Sequence, residues 1–294
     1  MGIIFVKEYY DIKIKKAIDL EEEGKYLHAL QIYKALLNEQ SDNKVLVIRL
    51  ADLFDRMNNK SAAMNLLEDY IAENPNDNDV VLYFGEYLIK NSEFERATDI
   101  LTFVDGDFKG VADYMIAVSY FKMGEYEIAK LNLEQFIETN KGSNLIPDAY
   151  IHLAKSWIGL KNYDQALEIM KKCETIFSLN WEVHLTLAQI YYFKEMFFHA
   201  YEEIKSAIKL ESNLVLFEWA GKISLKLGKY ENAEKFLRNS LKQNNVNSEI
   251  YSLLGLTYLK TQDIENAKIH FTKALEINPE DQLALDGISK CDIS

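Results

Sequence analysis

Residues that interrupt regular structure are scarce in this sequence. It holds 3 Pro and 12 Gly among 294 residues. That is too few for a many-stranded β fold and suits long helices joined by short turns. Cysteine is scarcer still: Cys173 and Cys291 lie far apart, with no CxxC or metal-ligand spacing. Positive charge is in deficit, with 33 Lys and Arg against 46 Asp and Glu, a net charge of −13. A nucleic-acid reader needs a basic face for phosphates, so no nucleic-acid partner is expected. No stretch reaches the ~20 apolar residues of a membrane span. Ile3-Ile-Phe-Val6 is too short for a signal-peptide core and is followed at once by Lys7-Glu8. The expected location is cytoplasmic, unless a leader has been removed ahead of Met1. HExxH, GxSxG, GxGxxG and P-loop spacings are absent. The reading is therefore no enzyme, no cofactor and no metal.

What the chain has is a period. The small residues Ala17, Ala51, Gly85, Ala117, Ala154, Ala188, Gly221 and Gly255 form one series. A second series is Ala29, Ala63, Ala97, Ala129, Ala166, Ala200, Ala233 and Ala267, with steps of 34, 34, 32, 37, 34, 33 and 34 residues. If these are positions 8 and 20 of a repeat, position 24 reads Tyr33, Leu67, Leu101, Leu133, Met170, Ile204, Leu237 and Phe271. Small residues let two helices approach closely, and an apolar residue four places on shares the same face. Position 17 is aromatic at Tyr26, Phe94, Tyr126, Tyr163, Phe197 and Tyr230, two residues after the turn glycines in three repeats (Gly24, Gly124, Gly228).

The best-formed unit is Tyr251-Ser-Leu-Leu-Gly255-Leu-Thr-Tyr258, followed by Ala267, Phe271, Ala274 and Pro279. This order of aromatic, Leu-Gly, Tyr, Ala, Phe and Pro resembles the tetratricopeptide repeat (TPR), a 34-residue helix–turn–helix. The resemblance implies an all-α fold: a right-handed α-α superhelix of about 16 repeat helices, read as one solenoid over 1–294. Its repeats are 10–43, 44–77, 78–109, 110–146, 147–180, 181–213, 214–247 and 248–281. Leu285 and Ile288 place a capping helix at 282–292. Two joints are irregular. Val104-Asp-Gly-Asp-Phe-Lys-Gly110 should shorten the second helix of repeat 3, and Lys141-Gly-Ser-Asn-Leu-Ile-Pro147 adds three residues after repeat 4. In repeat 1, Lys13 and Lys16 displace the apolar pattern, so Ile12, Ile14 and Ile18 are expected to face inward.

TPR proteins generally bind extended or helical segments along the wall lined by first helices, and the resemblance implies such a groove here. Positions opposite the packed face supply its candidates: Asp52, Asp55, Leu82, Glu86, Tyr114, Val118, Phe121, Lys122, Ile151, Lys155, Ile158, Leu185, Gln189, Tyr192 and Lys222. The N-terminal part is acidic and the middle is apolar and aromatic. This fits a basic partner segment with apolar anchors. The competing reading packs the apolar members against neighbouring helices. The Lys/Asn pair of a carboxylate clamp is absent at positions 5 and 9, which speaks against a chaperone-tail binder.

The remaining polar residues read as structural. His152 and His184 lack a third ligand, and Asp105-Gly-Asp107 reads as a turn. Glu21-Glu-Glu23 and Glu202-Glu203 read as solvated faces. Cys173 falls in a small core slot, whereas Cys291 could be exposed. The expected function is a protein–protein interaction scaffold. Its rivals are a non-catalytic regulator of a signalling enzyme or response regulator, and a structural subunit of a larger assembly. Oligomeric state is left open by the sequence.

Overall fold

A computed structural model describes residues 2–242 and 246–293, with side chains from 9 to 242 and 246 to 292. The end of repeat 7 at 243–245 lies outside the described residues. Seventeen α-helices and no strand occur among the described residues. The repeats pair as α1 (Gly2–Glu22) with α2 (Tyr26–Glu39), α3 (Lys44–Arg56) with α4 (Lys60–Glu73), α5 (Asn78–Lys90) with α6 (Phe94–Leu101), and α7 (Lys109–Met123) with α8 (Tyr126–Thr139). They continue as α9 (Ile146–Gly159) with α10 (Tyr163–Ile176), α11 (Trp181–Phe193) with α12 (Phe197–Leu210), α13 (Leu214–Lys226) with α14 (Tyr230–Ser240), and α15 (Ser248–Lys260) with α16 (Ile264–Ile277). The last helix is α17 (Gln282–Ile293), the expected cap. Contacts group the chain into two compact units, residues 1–132 and 133–294.

Each hairpin is punctuated by local chemistry. Asn43, Asn59, Asn162, Asn180, Asn213, Asn247 and Asp263 accept a hydrogen bond from a backbone N–H in the first turn of the helix that follows. Each such cap is worth about 1 kcal/mol. The turn within every hairpin is the same. Gly24, Asn58, Ser92, Gly124, Lys161, Glu195, Gly228 and Gln262 all have positive φ, between 56° and 82°. All stand at position 15 of their repeat. In each turn this residue's N–H bonds three residues back and the next N–H bonds five back, as Glu195 to Tyr192 at 3.0 Å and Met196 to Tyr191 at 2.8 Å. This is the Schellman closure of a helix C-terminus. Only three of the eight positions carry the glycine that signals it.

The small-residue register is the core. Positions 8 and 20 are buried in every repeat, and so is every residue at position 24. A Cβ placed on Gly255 would come within 2.6 Å of the Phe271 ring, and one on Gly287 of the cap within 2.3 Å of the same ring. Phe271 is thus gripped from α15 on one side and α17 on the other. That explains why both positions are glycine.

The shortened helix of repeat 3 is present: α6 has eight residues, and a 3-10 turn at Gly106–Phe108 precedes α7. Repeat 1 departs from expectation at one point. Ile14 packs against the core, but Ile12 is exposed, because it lies on the face of α1 away from α2. Cys291, on the cap helix itself, is buried and not exposed.

Candidate functional site

In the N-terminal unit, the expected acidic wall is largely occupied by its own helices. Asp55 on α3 pairs with Lys90 on α5 at 2.7 Å and accepts from the Tyr87 hydroxyl at 3.2 Å. The Lys90 hydrogen bond holds the Asp55 carboxyl below its ordinary range, against the opposing effect of burial. Asp52 accepts from the Tyr83 hydroxyl at 2.5 Å. Glu21, read as solvated, is buried, accepts from Tyr33 at 2.6 Å and meets Arg56 at 3.4 Å. These carboxylates tie successive first helices together, so the acidity is partly neutralised from within. Glu86 and Lys122 are exposed, while Leu82, Tyr114, Val118 and Phe121 are half-buried. The Phe121 ring lies 5.8 Å from Tyr126.

In the C-terminal unit the candidates divide. Ile151 is 2% exposed and Leu185 5%, so both are core and neither can anchor a partner. Here helix faces are too crowded for the simple opposite-face rule: α9 and α11 pack on each other as well as on their hairpin partners. Lys155, Ile158, Gln189, Tyr192 and Lys222 remain half-buried. Tyr192 belongs to an aromatic cluster that also draws on residues outside the expected set. Its ring meets Trp219 edge-on at 5.5 Å and Phe197 at 5.6 Å. Phe193 stacks on Tyr163 at 5.7 Å and 10° and meets Trp219 at 6.1 Å, yet is 40% exposed. Beside the cluster, Lys222 bonds Glu218 on its own helix and Glu249 on α15, each at 2.7 Å, and lies 5.2 Å over the Trp219 ring. Burial works against the ammonium, but these two carboxylates raise its pKa.

Trp219, at position 6, lies within about 40° of the expected groove centre at about 100° per residue, yet falls outside the positions that supplied the candidates. Its aromatic neighbours at positions 12, 13 and 17 were each visible singly. That they meet in one patch depends on the stacking of repeats 5, 6 and 7.

A second polar cluster sits where the sequence suggested surface. His184 is buried, with Nδ1 2.8 Å from Glu203 and Nε2 2.9 Å from the Ser178 carbonyl oxygen. Lys171 reaches Glu174 at 2.9 Å and Glu203 at 3.3 Å. The Glu203 hydrogen bond raises the His184 pKa. Burial opposes the Glu203 charge, but His184 and Lys171 together hold its carboxyl below the ordinary range. Glu174, His184 and Glu203 bring their ligand atoms within 4.8 Å of one another, but Lys171 already bonds both carboxylates and His184 is bonded to Glu203. The cluster therefore acts as a clasp joining α10, α11 and α12. His152 is elsewhere, bonded to the Asp148 carbonyl oxygen at 2.9 Å. Burial pushes the Cys173 thiol up to about 12, which makes it unreactive. No helix among the described residues is long and apolar enough to cross a membrane.

Comparison with known proteins agrees with this geometry. Tetratricopeptide repeat patterns match residues 20–84, 111–143, 216–247 and 248–281. A TPR repeat-containing protein of Methanocaldococcus jannaschii is 30% identical over 173 residues, 58% of this chain and 30% of that protein. The BBSome complex member BBS4 of Bos taurus is 23% identical over 133 residues, 45% of this chain and 26% of that protein. The chain spans less than a third of the length of either relative over these matches. Among solved structures, the Cut9 and Hcn1 hetero-tetramer of the APC/C covers 96% of this chain and 55% of its own, with a TM-score of 0.68 at 19% identity. A tetratricopeptide repeat protein of Parabacteroides merdae covers 85% of this chain and 99% of its own, with a TM-score of 0.67 at 19% identity. With its repeat register, its hairpin stacks and these matches, the chain belongs to the tetratricopeptide repeat family.

Proposed function

We propose that the chain is a non-catalytic protein-binding scaffold, working in the cytoplasm as a single repeat array, whose C-terminal unit holds a partner segment against its first-helix wall. Tyr192, Phe193 and Trp219 are the anchors. The observation that carries this reading is the partial exposure of Phe193 within a packed aromatic cluster. An aromatic ring already fixed by its neighbours loses little freedom when a partner covers it. The surrounding charges are internally paired at Lys222, so the patch selects an apolar side chain first. Basic flanking residues on the partner are favoured by the net charge of −13.

The test is a peptide array probed with the purified chain and charge-scrambled controls. Phe193→Ser should weaken capture of the best segments by about tenfold or more while leaving the circular dichroism unchanged. Unchanged capture by that variant would defeat the assignment of the patch, and equal capture of acidic and basic segments would defeat the charge preference. The bovine relative belongs to the BBSome complex, which favours a second reading, a structural subunit of a larger assembly. Light scattering across concentration, alone and with candidate partners, separates the two.

A further inference from the structure

We infer that the C-terminal unit carries a second docking groove, apart from the aromatic wall, for an amphipathic partner helix with basic residues one turn apart. The groove has a volume of about 430 Å³ and lies among the end of α8, the start of α9 and the end of α10. Its floor is Ile146, Tyr150 and Leu153, and its sides are Ile137, Ile176 and Phe177. It shares no residue with the Tyr192 cluster. The joint that adds three residues to the repeat forms one border, through Lys141 and Ile146.

The apolar surface does not stop at the cavity. Ile176 is 63% exposed, and Leu179, two residues beyond Phe177, is 83% exposed. Exposed apolar area that continues past a pocket calls for an occupant longer than a small molecule. The rim is net negative, with two carboxylates against the Lys141 ammonium. Glu134 and Glu138 both line the groove and are exposed, four residues apart on α8. Two carboxylates one helical turn apart match two Lys or Arg one turn apart on a partner helix, while apolar side chains on that helix's adjoining face fill the floor.

The probe is a fluorescein-labelled helix-forming peptide about 14 residues long, near the length at which isolated helices begin to persist. It carries Leu at i, i+3, i+4 and i+7 and two Lys one turn apart; a second peptide has Glu in place of Lys. Fluorescence anisotropy should show saturable binding of the Lys peptide. Ile176→Asp should weaken it by about tenfold or more, as for loss of an apolar anchor. The double variant Glu134→Gln, Glu138→Gln should weaken it by about threefold to tenfold and flatten its salt dependence. All three positions are exposed, so circular dichroism should be unchanged. Phe193→Ser should have no effect. The inference is overturned by no binding up to about 1 mM, by equal binding of the two peptides, or by full affinity in Ile176→Asp. Loss of binding in Phe193→Ser alone would place the peptide on the aromatic wall, supporting the proposed function while overturning this groove.

Discussion

Glu195 closes α11 in the left-handed region, with φ 57°, so replacing it with glycine should stabilise the protein. The left-handed conformation costs an L-residue roughly 1–2 kcal/mol, because Cβ crowds the following carbonyl. Glycine avoids that crowding but loses more chain entropy on folding, about 0.5–1 kcal/mol relative to alanine. The difference leaves a gain of about 0.5–1 kcal/mol for Glu195→Gly. Nothing offsets it: Glu195 is exposed, and its carboxylate has no partner among the described residues. The closing hydrogen bonds, Glu195 N–H to Tyr192 and Met196 N–H to Tyr191, use backbone atoms and survive the change. The gain corresponds to a rise of about 1–4 °C in melting temperature. The assay is thermal and urea unfolding followed by circular dichroism. Ser92, Lys161 and Gln262 occupy the same position, a repeat or more apart, so the four changes should add to about 2–4 kcal/mol. Two controls sharpen the result. Gly24→Ala should destabilise by about 1 kcal/mol, and Glu195→Ala should give no gain. A fall in stability with Glu195→Gly would refute the reasoning, as would an equal gain with alanine.

Gly287→Ala and Gly255→Ala each drive a methyl into the buried Phe271 ring. Each should cost about 1–3 kcal/mol as overpacking, read as a lower urea midpoint at unchanged slope. His184 has a raised folded pKa, so its contribution is complete below its unfolded value near 6.5 and fades as pH rises through the folded value. Glu203 is lowered, so its contribution is present above the ordinary carboxylate value near 4.3 and is lost as pH falls. His184→Gln should therefore flatten the stability profile above about pH 6.5, as measured by urea unfolding at stepped pH. Cys173 and Cys291 are both buried, so a thiol reagent should label them slowly in the folded protein and at once in urea.

The hairpin architecture was legible because a close helix contact leaves no freedom of residue type. Ala29, Ala63 and their successors sit where any larger side chain would part the helices, and a period of about 34 residues repeats that constraint. The turn was legible only in part. Gly24, Gly124 and Gly228 announce it, but Lys161 and Glu195 do not, because the closing hydrogen bonds come from backbone that any residue supplies. Ile12 was misplaced because it lies on the face of α1 turned away from α2, where it is exposed.

Site residues were less legible, since a helical face says which residues turn away from one neighbour and nothing of the next. Ile151 and Leu185 turn away from their hairpin partners and still become core. Glu21 and Glu203 stand in charged runs and are nonetheless drawn inward, by Tyr33 in one case and by His184 and Lys171 in the other. The sequence by itself determined the repeat, the helix count, the cap and the packed small-residue seam, because these follow from spacing along one chain. Tertiary structure alone decided which acids are neutralised by the next first helix. It also brought Tyr163, Tyr192, Phe193 and Trp219 into one patch and left an apolar groove open beside Glu134 and Glu138. These depend on distances between residues of neighbouring repeats, which stacking sets and no single repeat encodes.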